Sequence, residues 1–173
     1  MSFRFATPTD IPVLVALVES AYRGDVSRQG WTTEADLLEG RRTGADDVGQ
    51  CIANDKGGIL VLERDGEIIA CANVNQENGA GYFGMFSVRP SLQNQGLGKQ
   101  MLAEAERIAR DVWHLPRMRM TVIDVRDALI DFYQRRGYHR TGIKQPFPYG
   151  DERFGIPQRD DLQFEVLEKD LAP

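Results

Sequence analysis

The stretch Gln93-Asn94-Gln95-Gly96-Leu97-Gly98-Lys99 constrains this chain more than any other. It stands between an apolar run that reads as a strand, Tyr82-Phe83-Gly84-Met85-Phe86-Ser87-Val88, and a segment that reads as an amphipathic helix. Strand, glycine-punctuated loop and helix in that order aim backbone N–H groups and a helix N-terminus at one small volume, which attracts phosphate. Glycines at 96 and 98 remove Cβ atoms that would hold a diphosphate off the backbone.

Two common phosphate-binding patterns fail against these letters. A P-loop needs a glycine where Gln93 stands and a hydroxyl where Gln100 stands. A dinucleotide fingerprint starting at Gly96 needs a third glycine where Met101 stands. A formal match at Gly79-Ala80-Gly81-Tyr82-Phe83-Gly84 runs into an aromatic strand, so Asn78-Gly79-Ala80-Gly81 reads as a turn between strands.

What is left, Q-x-x-G-x-G after a strand, resembles the signature of the GNAT superfamily of acyl-CoA-dependent N-acetyltransferases. The Val88-Arg89-Pro90 exit and the later Phe132-Tyr133-Gln134-Arg135-Arg136-Gly137-Tyr138 follow in that family's order and spacing. The likeness is strongest from about Ile59 to Thr141. It implies a single α/β domain over residues 1–173, a mixed central sheet of about six to seven strands with helices on both faces.

The pattern along the chain agrees. Phe3 to Ala6 reads as a strand, and Thr7-Pro8-Thr9-Asp10 as a helix start leading to an apolar stripe of Ile11, Val13, Leu14, Leu17, Val18 and Tyr22. Residues 31–38 repeat a start signal and predict a short helix, and Thr43 to Asp47 reads as polar loop. Strands follow at 58–63, 67–76 and 81–88, the first two joined through Asp65-Gly66. The helix behind the loop carries Leu97, Met101, Leu102, Ala105, Ile108, Ala109 and Val112 on one broad face. Arg117 to Ile123 is a strand, Asp124 or Asp127 caps the next helix, and Gly137 ends it. Strands at 138–143 and 162–167 close the fold, with a Pro/Gly-rich irregular loop between them.

Composition narrows the function. Net charge is −5, from 21 basic and 26 acidic residues, which argues against nucleic acid as a partner. No run approaches the ~18 apolar residues of a membrane span, and the N-terminus lacks a signal-peptide core, so the expected location is cytoplasmic. Cys51 and Cys71 stand too far apart for a metal or redox motif, and His114 and His139 have no ligand clusters beside them; no metal is expected. Oligomeric state is open, a homodimer included.

The resemblance implies direct attack of a primary amine, expected to belong to a small molecule, on the thioester of acetyl-CoA. A non-catalytic acyl-CoA-binding module and a protein or peptide N-acetyltransferase are the alternatives. Backbone groups of Phe86, Ser87 and Val88 would hold the pantetheine arm and the acyl carbonyl, Gln93 would start the loop, and N–H groups of Asn94, Gln95, Gly96, Leu97, Gly98 and Lys99 would cradle the diphosphate. Tyr133 would protonate the leaving thiolate, since a phenol keeps its proton at neutral pH.

Two positions depart from the family. Thr121 stands where several relatives place a catalytic Glu, which leaves Glu34 or Glu77, or a base acting through water, to deprotonate the amine. Arg126 stands where many relatives carry an Asn that positions cofactor or substrate; its guanidinium suits a carboxylate or phosphate unless it faces solvent. Tyr22, Trp31 and Thr33, with Arg23, are the candidates for contact with the acceptor.

Overall fold

The computed structural model describes residues 1–22, 38–39, 44–147, 156–158 and 161–171. Its main sheet has seven strands in the order β1-β3-β4-β5-β6-β9-β7. These are β1 (Ser2–Phe5), β3 (Gly57–Arg64), β4 (Glu67–Glu77), β5 (Ala80–Val88), β6 (Arg117–Ile123), β7 (His139–Pro146) and β9 (Gln163–Asp170). Two-residue strands β2 (Leu38–Glu39) and β8 (Ile156–Pro157) pair separately. All neighbours in the main sheet are antiparallel except β5 and β6.

Local chemistry explains the edges of these elements. The β3–β4 and β4–β5 connections are the tight turns Asp65-Gly66 and Asn78-Gly79, all four residues at positive φ, as hairpins of this length require. Helix α1 (Ile11–Tyr22) begins after a 3₁₀ turn at Pro8–Asp10, where the Asp10 carboxylate accepts the Thr7 N–H at 2.8 Å. Arg4 clamps the same carboxylate at 2.8 Å and reaches Glu63, tying the helix start to β1 and β3.

Helices cover both faces. Leu14, Leu17 and Val18 of α1 and Val48 of α2 (Ala45–Ala53) bury against Ile59, Val61 and Cys71. On the other face, Leu97, Met101, Leu102 and Ala105 of α3 (Leu97–Arg107) pack with Leu129, Ile130 and Tyr133 of α4 (Asp127–Gln134) over Phe83, Met118 and Met120. Each fully buried Leu or Phe stabilises by ~1.5–3 kcal/mol, so these two layers fix where the helices lie. A buried carboxylate adds direction: Glu106 accepts the Tyr138 hydroxyl at 2.8 Å and the Lys169 ammonium at 2.9 Å, anchoring α3 to the chain beyond α4 and to β9.

Four expectations change. The 43–47 stretch is not all loop: α2 begins at Ala45, after an extended Gly44, with Asp46 and Asp47 in its first turn, where carboxylates favour a helix start. Leu38 lies in β2 rather than in a helix; the rest of 31–37 is outside the described residues. Neither Asp124 nor Asp127 occupies the N-cap of α4, which is Arg126. Val112, placed on the buried face of the long helix, is 55% exposed, because Ile108–Val112 forms a π-helical turn that rotates it outward. No helix among the described residues is long and apolar enough to cross a membrane.

Candidate active site

The site begins where the sheet comes apart. Parallel β5 and β6 pair only at Gly81–Met118 and Tyr82–Arg119, and beyond that point they diverge. A bulge in β5 accompanies the split: its register against β4 shifts between Cys71 and Asn73, and Met85 takes φ +52. Two hydrogen bonds hold the bulge. The Ser87 hydroxyl donates to the Met85 carbonyl at 3.1 Å, and the Tyr22 phenol, at the end of α1, donates to the Phe86 carbonyl at 2.5 Å.

Strand alternation sorts the peptide groups. Arg89 N–H bonds to the Ile69 carbonyl across β4, and Ser87 opposite Cys71 turns the same way. Phe86 and Val88 therefore direct their peptide groups into the gap. Their carbonyls accept Tyr22 and the Gln93 amide (3.3 Å from Val88), and the alternation turns the Val88 N–H away from β4 as well. Of the three residues proposed for this role, Ser87 alone spends its backbone on β4.

The loop leads from the 3₁₀ turn Pro90–Leu92 into α3. Asn94 and Gly96 take positive φ (+67 and +79), and the first helical bond runs from Gln100 N–H to the Gly96 carbonyl. Leu97, Gly98 and Lys99 thus hold first-turn N–H groups that no helical carbonyl can accept. The two glycines also have reasons within the fold itself. A Cβ on Gly96 would meet nothing within 4 Å; its left-handed backbone is what selects glycine. A Cβ on Gly98 would stand 2.9 Å from Phe86 Cζ and 3.4 Å from Phe132 Cζ, so this glycine lets two aromatic rings close on the helix. Leu97 puts its side chain in the core, and Gln95 is exposed.

Two cavities meet at the gap. The first, about 330 Å³, is walled by Val88, Gln93, Asn94, Gly96, Gly98 and Lys99 together with Leu129, Phe132, Arg135 and Arg136 of the α4 end. Its described lining holds four cationic side chains and no carboxylate. The second, about 260 Å³, is aromatic: Tyr82, Phe83, Tyr133, Phe147 and Phe164 line it with Thr121 and Gln145. Tyr22, Phe86, Arg126 and Leu129 belong to both.

Tyr133 is 4% exposed and edge-packed between Phe132 and Tyr138. Burial first, then the nearby Tyr22, pushes its phenol well above the ordinary range, while Arg126 opposes the shift. A phenol so placed is protonated at every physiological pH. Arg126 is 8% exposed and lies 5.6 Å from the Tyr22 ring centre, which removes the solvent-facing alternative for it. Thr121 shares a 3.3 Å contact with the Tyr82 hydroxyl. Glu77 is exposed at the end of β4 and lines neither cavity. Glu34, Trp31, Thr33 and Arg23 lie outside the described residues.

Sequence reasoning overlooked Tyr82, Phe132, Arg135 and Arg136 as cavity residues. A signal existed for two of them: Phe132 and Arg136 stand four apart, on one helical face, and the guanidinium lies 4.6 Å over the ring. Among the described residues, no cluster of His, Cys, Asp and Glu is arranged to hold a metal.

Comparison with known proteins agrees with this fold. The model of the acetyltransferase (GNAT) family matches residues 20–138. The chain is 33% identical over 90 residues to S-(2-succino)cysteine N-acetyltransferase of Bacillus subtilis (strain 168), an alignment covering 47% of this chain and 54% of that one. The chain thus spans about half the length of that curated relative. The crystal structure of ribosomal-protein-alanine N-acetyltransferase from Brucella melitensis superposes with TM-score 0.72 at 18% identity, covering 98% of this chain and 99% of that one. A Bacillus anthracis chain in complex with acetyl coenzyme A superposes with TM-score 0.57 at 17% identity, covering 71% of this chain and 67% of that one. These likenesses carry the fold.

Proposed function

The chain belongs to the acetyltransferase (GNAT) family, and we propose that it moves an acetyl group from acetyl-CoA to the primary amine of a small molecule. The observation that carries this reading is the junction itself: a phosphate-attracting loop cavity and an aromatic cavity joined at the bulge of a split sheet.

The residues present fit the acyl donor. Left-handed Asn94 and Gly96 and the open first turn of α3 form a concave set of donors, with Lys99 beside them and no acidic residue in that turn. The N–H groups of Phe86 and Val88 would hold the pantetheine arm along β5 and one of them the thioester oxygen. A donor aimed where negative charge develops lowers a barrier by ~2.7–4 kcal/mol.

The chemistry balances without further co-reactants. The neutral amine attacks the thioester carbon, the C–S bond breaks, and the electron pair left on sulfur takes the Tyr133 proton. The proton shed by the attacking nitrogen passes to a base and finally restores the phenol. Glu34, outside the described residues, is the base proposed from the sequence, acting directly or through water held by Tyr82 and Thr121. Tyr22, bonded to the bulge carbonyl, and the proposed Trp31 and Thr33 would border the acceptor.

Arg126 supports a narrower substrate class. It brings one buried positive charge to the place where the cavities meet, which favours an amine that also carries a carboxylate. The relative's named substrate, S-(2-succino)cysteine, is an amine of that kind. A panel of carboxylated amines, uncharged amines and a short peptide, assayed by thiol release from acetyl-CoA, tests both statements. Carboxylated amines should lead, and Arg126→Ala should raise their KM selectively. Preference for the peptide, or an equal loss on all acceptors, would contradict the reading.

A further inference from the structure

We propose that Arg135 and Arg136 form a second anion subsite in the loop cavity, one that takes a phosphate monoester on the nucleotide end of the acyl donor, apart from the donors facing its diphosphate. The inference rests on the acetyl-CoA reading above and goes beyond it. Coenzyme A carries three phosphates, two in the bridge and one as a monoester on the ribose, so a cavity specific for it must answer more charge than a diphosphate alone.

These two arginines differ from four others that are tied down by carboxylates. Arg4, Arg107, Arg119 and Arg140 each hold a carboxylate at 2.8 Å or closer. Arg135 and Arg136 have no ion pair among the described residues, in a chain whose carboxylates outnumber its cations 26 to 21. Arg136 is held all the same. Its guanidinium lies 4.6 Å over the Phe132 ring, and its Nε is buried with no hydrogen-bond partner. A buried guanidinium nitrogen without an acceptor costs free energy that a bound anion would return. Both side chains line the same cavity as Lys99 and the first turn of α3, so a ligand lying in it meets donors from both elements.

A structural explanation competes, because cations at a helix C-terminus are favoured by the helix dipole. That explanation predicts a contribution to stability and none to ligand choice. The deciding experiment is calorimetric titration of the full chain with acetyl-CoA and with its 3′-dephospho form. The wild type should bind the phosphorylated form roughly 10- to 100-fold more tightly, the range of one to two charge-assisted hydrogen bonds. Arg135→Gln with Arg136→Gln should erase that preference, leave affinity for the dephospho form unchanged, and leave Tm unchanged. Equal binding of the two forms by the wild type overturns the subsite. So does an equal weakening of both forms by the variant together with a fall in Tm. Binding of neither form would overturn the acetyl-CoA reading itself.

Discussion

Replacing Gly98 by alanine separates packing from backbone conformation at the heart of the site. The added Cβ would lie 2.9 Å from Phe86 Cζ. Ordinary carbon contacts fall near ~3.5–4.0 Å, so the ring tip or the helix must retreat by roughly 0.6–1 Å. Overpacking of this kind costs ~1–3 kcal/mol, and the better helix propensity of alanine returns up to ~1 kcal/mol. The variant should therefore lose ~0–3 kcal/mol of stability, at most about 12 °C in Tm for a chain of this size. Function should suffer more. Phe86 sits in the bulge, and its displacement shifts the N–H groups that border the gap; acetyl-CoA affinity should fall about tenfold. Differential scanning fluorimetry and calorimetry on Gly98→Ala, Phe86→Leu and the double variant read both effects. Shortening the ring removes the overlap, so Phe86→Leu should recover much of what Gly98→Ala loses, a coupling that a double-mutant cycle isolates. Gly96→Ala should show no such rescue, because its cost of ~1–2 kcal/mol is conformational. Additive effects of Gly98→Ala and Phe86→Leu would refute the steric account.

Two further outcomes follow. Tyr133→Phe should cut kcat by ~100-fold or more while thermal stabilisation by acetyl-CoA persists, since only the acid is lost; equal turnover in the two proteins removes the role. Glu165, 2% exposed, is held near pKa 2 first by the Arg140 hydrogen bond and then by Lys144, against the opposing cost of burial. A depressed carboxyl stabilises above its unfolded value, near 4.5, and loses that contribution as pH falls toward about 2. Glu165→Gln should thus be less stable at pH 7 by on the order of 2 kcal/mol, a figure reduced for the exposed ends of its partners, and the gap should close by about pH 2. A gap independent of pH would show that packing, not charge, is responsible.

Much of this fold is legible because its signals are local. Asp65-Gly66 and Asn78-Gly79 specify hairpins by φ alone, and Arg117–Ile123 alternates so that Met118, Met120 and Val122 face one helix layer. The seven-strand sheet with helices on both faces matches the family's fold for that reason. Helix α2 escaped notice because its first turn, Asp46-Asp47, reads as loop until Val48 is seen buried against α1 and β3. The site divides along the same line. Gly96 and its neighbours announce themselves by type and spacing. Arg135, Arg136 and Phe132 do not, since only the packing of α4 beside α3 brings their side chains into one cavity with Lys99. The burial of Arg126 likewise depends on α1 arriving from far away in the chain, with Tyr22 against it.

The most direct measurement is calorimetric titration of acetyl-CoA into the wild type and into Gly96→Glu, which sets a carboxylate and a strained backbone where the donors converge. The account predicts one-to-one binding by the wild type and none by the variant, with unchanged circular dichroism. Equal affinity in the two proteins, or no heat from the wild type, would contradict it.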